Sequence, residues 1–75
     1  MNNQSSTKIL EATHKNQRFR IEQDQPDVGW YLYVFDKNEN CIADHLQDTL
    51  EIVMEDAFEE YQVPKNSWTD ITSLK

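Results

Sequence analysis

Seven apolar residues in the second half of the chain repeat with the period of a helix, and they constrain what the rest can be. Leu46, Leu50, Val53, Met54, Ala57, Phe58 and Tyr61 fall at i, i+4, i+7, i+8, i+11, i+12 and i+15, a stripe along one face. Asp48 followed by Glu51 has the spacing of a capping box, and Asp44 offers an alternative cap one turn earlier. Val63-Pro64 closes the pattern, because proline disfavours a helical residue before it. The spacing predicts one amphipathic helix over about residues 46–62. Such a helix cannot cover its own apolar face and needs a second layer to lie on.

A sheet supplies that layer. In Trp30-Tyr31-Leu32-Tyr33-Val34-Phe35, Trp30, Leu32 and Val34 point one way and Tyr31, Tyr33 and Phe35 the other. Arg18-Phe19-Arg20-Ile21-Glu22 alternates strictly, with Phe19 and Ile21 on the apolar side. Lys8 to Thr13 is a further strand candidate, joined to the second by a turn at His14-Lys15-Asn16-Gln17. Gln23 to Asp27, with Pro26 and just ahead of the only glycine, Gly29, reads as a loop. Asp36 to Asn40 is a polar turn in which Asn38 or Asn40 suits the left-handed conformation, and Cys41 to Asp44 returns as the second arm of a hairpin. Beyond the helix stand Trp68, Ile71 and Leu74, with Trp68 docking back on the core and Ile71 opening a short edge strand. The expected architecture is α+β: a small antiparallel sheet of three or four strands with the helix packed on one face. Phe19, Ile21, Trp30, Leu32, Val34 and the helix stripe form its core. Residues 1–7, small and polar, are expected to be a flexible segment ahead of a single domain over 8–75.

The formal charge of −7 is spread unevenly: residues 1–20 hold four cations against Glu11, and residues 21–75 hold thirteen acids against Lys37, Lys65 and Lys75. Nucleic acid is therefore not an expected ligand, since phosphates demand a basic stripe, and a charged partner is expected to be basic. No run approaches the ~20 apolar residues of a membrane span or resembles a signal peptide. Cys41, the only cysteine, allows no intramolecular disulfide and fits a reducing compartment, so the expectation is a cytoplasmic protein away from membranes.

Four groups of residues bear on chemistry. Cys41, Asp44, His45 and Asp48 are four potential metal ligands, but Cys-x-x-Cys and His-x-x-x-His spacings are absent, and the odd separation of Cys41 and Asp44 places them on opposite faces of a strand. No metal or other cofactor is expected. Cys41 with His45 or His14 lacks the glycine-rich turn that would cradle an oxyanion, so the chain is not expected to be an enzyme. The third group is the acidic helix face. Glu51, Glu55 and Glu59 stack at i, i+4, i+8, with Asp48, Asp56 and Glu60 around them and Ile52 in their midst. Residues 48–60 hold six acids and no base, and like charges at i, i+4 each cost roughly 0.2–0.5 kcal/mol. An apolar anchor ringed by acids is the form of a docking face for a basic protein, so Asp48, Glu51, Ile52, Glu55, Asp56 and Glu59 are the candidate binding residues. The plain alternative is a solvated helix surface. Fourth, Tyr31, Tyr33 and Phe35, with Arg18 and Arg20 on the same side, form an aromatic row that needs a cover: chain ends, a second copy or a ligand. The sequence thus predicts a small acidic interaction protein that neutralises or regulates a basic partner, in the manner of an immunity protein or antitoxin. The alternative is a structural domain that homodimerises through Tyr31, Tyr33 and Phe35.

Overall fold

The computed structural model describes residues 8–24 and 29–72. The expected flexible segment at 1–7, most of the Gln23 to Asp27 loop, and Leu74 lie outside the described residues. Five strands run β1 Ile9–His14, β2 Gln17–Gln23, β3 Trp30–Phe35, β4 Cys41–Gln47 and β5 Thr69–Asp70, with helix α1 at Leu50–Tyr61 and a 3-10 turn at Lys65–Ser67 before β5. They form one antiparallel sheet in the order β4-β3-β2-β1-β5, so four strands meander and the fifth returns to the far side of β1. The fold is α+β as expected, with one strand more than the three or four foreseen.

Local chemistry explains each corner. Lys15 and Asn16, at φ 52° and 67°, make the two-residue turn between β1 and β2, whose left-handed geometry matches the twist of the paired strands. Between β3 and β4 the Asp36 carboxylate accepts the Asn38 and Asn40 amides at 2.8 and 3.0 Å. Those backbone hydrogen bonds, that of Asn40 foremost, hold its carboxyl below the usual range. The left-handed residue in this turn is Glu39 (φ 65°), not Asn38 or Asn40. Gly29, at φ 133°, enters β3 directly against the backbone of Gln47, and a Cβ there would collide with the Gln47 carbonyl oxygen.

Helix α1 starts one turn later than the apolar period implied. Leu46 suits the helical stripe and equally suits a strand, and pairing of Trp30 with Gln47, Tyr31 with Leu46 and Leu32 with His45 decides for β4. The cap is therefore Thr49, whose hydroxyl accepts the Ile52 amide at 3.1 Å, and not Asp48 or Asp44. At the other end Gln62 is left-handed (φ 60°). Its amide donates to the Phe58 carbonyl, the 5→1 bond of an αL ending, and the Val63 amide donates to the carbonyl of Ala57. Pro64 follows, and Val63 is driven into the core.

The helix lies over β3 and β4. Phe19, Ile21, Leu32, Val34, Val53, Ala57 and Val63 are wholly buried between the layers, with Trp30, Leu50, Met54, Tyr61 and Trp68 packed around them. Trp68 docks on the core as expected. The edge strand precedes Ile71 rather than starting at it: β5 pairs with Leu10 and Glu11, and the Ile71 amide donates to the Ile9 carbonyl at 2.8 Å. Besides Leu46, which belongs to β4, Phe58 is the one stripe residue that escapes the core. It stands at the margin of the face defined by Leu50, Val53, Ala57 and Tyr61, beside the Lys65 ammonium, which lies 5.7 Å from its ring centre.

Candidate functional site

Register fixes what each face of the sheet carries. Leu10, Ala12, Phe19, Ile21, Leu32, Val34, Ala43 and His45 look toward the helix; Glu11, Arg18, Arg20, Glu22, Tyr31, Tyr33, Phe35, Asp44 and Leu46 share the outer face. Between Val34 and Phe35 the register shifts, because Ile42 is an extra residue in β4. Cys41 thus pairs with Phe35 and lies on the same face as Asp44, which corrects the expectation of opposite faces. His45 is on the other face, its ring against Tyr61 with Nε2 3.4 Å from the phenol oxygen, so the fold separates Cys41 from His45. Among the described residues no three His, Cys, Asp or Glu side chains gather as a metal site, and no helix is long and apolar enough to cross a membrane.

The aromatic row stands as the alternation required. The rings of Tyr31 and Tyr33 stack at 5.7 Å, and the Arg18 guanidinium lies 4.3 Å from the centre of Phe35. Burial, followed by the charge of Glu22, pushes the Tyr33 phenol up. The arginines are neutralised in place: Arg18 bridges Glu11 (3.0 Å) and Glu39 (2.6 Å), and Arg20 bridges Glu11 (2.7 Å) and Glu22 (3.2 Å). Glu11 is the first cause that raises Arg20 above its ordinary value.

The acidic helix face is not one surface but two flanks. Toward the 3-10 turn, Glu55 pairs with Lys65 at 2.6 Å, and that hydrogen bond holds its carboxyl below the ordinary range. Toward the edge of the sheet, Asp56 accepts the Gln47 side-chain amide at 2.6 Å. Ile52, Asp56 and Glu59, at i, i+4 and i+7, line this second flank along β4. Two of the six candidate residues therefore hold the helix to its neighbours, while Asp48, Glu51, Ile52 and Glu59 remain exposed.

Two contributors escaped the sequence reading. Ile42 and Leu46 are 52% and 48% exposed, as open as Ile52 (44%) and Phe58 (47%), and both belong to β4, which has no neighbour on its outer side among the described residues. Leu46 was legible only by its helical spacing, and Ile42 had no signal, because a bulge leaves none in the alternation. The chain matches no family model, no curated protein and no solved structure in the three comparisons made.

Proposed function

We propose that this chain is a non-enzymatic interaction protein that binds a basic protein partner and thereby neutralises or regulates it, as immunity proteins and antitoxins do. One observation carries the reading. Asp44, Asp48, Glu51, Asp56, Glu59 and Glu60 form no ion pair among the described residues, and all six belong to β4, α1 or the link between them. Lys8, Arg18, Arg20 and Lys65 are meanwhile paired with Asp70, Glu11, Glu22, Glu39 and Glu55. Among the described residues Lys65, held by Glu55, is the cation beside these acids, and a cationic partner gains from their remaining charge in both steering and orientation.

The test uses the triple variant Asp48→Asn, Glu51→Gln, Glu59→Gln, which spares the structural Glu55 and Asp56. Wild type and variant serve as baits in host lysate at about 0.01 M and about 1 M salt, where the screening length falls from about 30 to about 3 Å. A basic protein held by wild type at low salt, shed at high salt, and bound about tenfold more slowly by the variant once purified is the expected result. Capture of the same proteins by both baits overturns the reading.

A second reading has its own observation. Ile42 and Leu46 widen the row of Tyr31, Tyr33 and Phe35, with Asp44 between them, beside arginines already neutralised by Glu11, Glu22 and Glu39, a surface suited to a second copy of the chain. Sedimentation equilibrium decides it: a dimer lost on Tyr33→Ser supports this reading, and a monomer at high concentration removes it.

A further inference from the structure

The two ends of the sheet differ. β5, at one end, is two residues long; β4, at the other, offers seven residues with neither proline nor lysine among them, regular from Ala43 to Gln47 beyond the bulge at Ile42. Unpaired backbone amides and carbonyls along such an edge are a template for another strand. Above this edge lies the Ile52–Asp56–Glu59 flank of α1, tied to β4 by the hydrogen bond from Gln47 to Asp56. Asp44 stands in the middle of the strand, with Ile42 and Leu46 exposed on either side of it. A second copy fits poorly here: antiparallel pairing of two β4 strands about Asp44 sets the two carboxylates face to face and brings two acidic helix flanks together, and like charges directly opposite are destabilising.

We infer that the basic partner docks by strand addition, laying an extended cationic segment along the free edge of β4 beneath the acidic flank of α1. This rests on the reading that the partner is basic, and it specifies the segment. Successive side chains of an added strand alternate between faces. On the outer face, apolar residues meet Ile42 and Leu46 and a cation meets Asp44. On the helix side, the two residues between them pass Ala43 and His45 and extend cations toward Asp56 and Glu59. The recognised order is therefore apolar, basic, basic, basic, apolar. Backbone pairing supplies the geometry and the acids select the charge.

The probe is a synthetic peptide with valine at the apolar positions and arginine at the basic ones, flanked by threonines, compared with a peptide of equal charge in which prolines replace the flanking threonines and both valines. At low salt the first peptide is expected to bind and to slow amide exchange at alternate residues of β4, and the second to bind about tenfold more weakly or less. Ile42→Lys with Leu46→Lys, at exposed positions, and separately Asp44→Lys, are each expected to weaken the first peptide by about tenfold while the melting temperature stays within a few degrees. If both peptides bind equally, with no protection in β4 and a loss only on the Asp48, Glu51, Glu59 variant, strand addition is overturned and the basic-partner reading survives. If neither peptide binds at low salt, both fall.

Discussion

Single residues with unusual backbone geometry mark where this chain has least latitude. Gly29 sits at φ 133° against the Gln47 carbonyl, so a side chain meets both a disfavoured conformation and a backbone atom that cannot yield without disturbing β4. Gly29→Ala is expected to lower stability by more than about 2 kcal/mol in urea unfolding, well above the ordinary surface substitution. Gln62 has the opposite character. It adopts the left-handed conformation at φ 60° to end α1, a position where glycine bears no steric cost. Gln62→Gly is expected to raise stability by about 0.5–1 kcal/mol; a lower melting point would mean that the Gln62 side chain contributes more than its backbone strain removes.

At the level of elements, the end of the sheet at β5 depends on one carboxylate. Asp70 accepts the Thr72 hydroxyl at 2.6 Å and the Thr72 amide at 2.9 Å and pairs with Lys8 at 3.1 Å, and these contacts, the hydroxyl first, lower its pKa to about 2. Thr72 in turn accepts the Ile9 amide at 2.8 Å, so the carboxylate holds the tail to β1. A depressed pKa contributes stability above the unfolded value near 4 and loses it as pH falls from about 4 through about 2. The melting point of wild type is thus expected to exceed that of Asp70→Asn at pH 6, with the gap closing by about pH 2. An unchanging gap would assign the loss to something other than ionisation. The elements themselves were largely readable. Alternation set β3 at Trp30–Phe35, and the apolar period located the helix. Where local patterns are degenerate, reading failed: Leu46 satisfies both periods, and cross-strand pairing chose between them. The bulge at Ile42, which brings Cys41 and Asp44 to one face, depends on the register of β3 and β4 together. The candidate site was half legible for the same reason. Its acids are plain in the sequence, but their division between Lys65 and Gln47 depends on where the tail and β4 lie.

At the scale of the whole molecule, charge among the described residues is sorted by element: Arg18 and Arg20 are paired on the outer sheet face, and the acids without an ion pair gather on α1, β4 and the link between them, Glu55 excepted. This arrangement works against the helix itself, because Glu59 and Glu60 stand in the last turn, where the backbone dipole favours cations. Replacing both with Gln is expected to raise stability by a few tenths to about 1 kcal/mol at low salt, with the gain shrinking as salt rises. A salt-independent gain would trace it to propensity rather than charge. The sheet's unequal ends set a limit of another kind. Among the described residues β4 leaves seven residues along one edge, whereas at the other end the two residues of β5 pair with Leu10 and Glu11 of β1. If the partner adds at β4 as proposed, each copy takes up one segment along that edge, and a titration is expected to saturate at one to one.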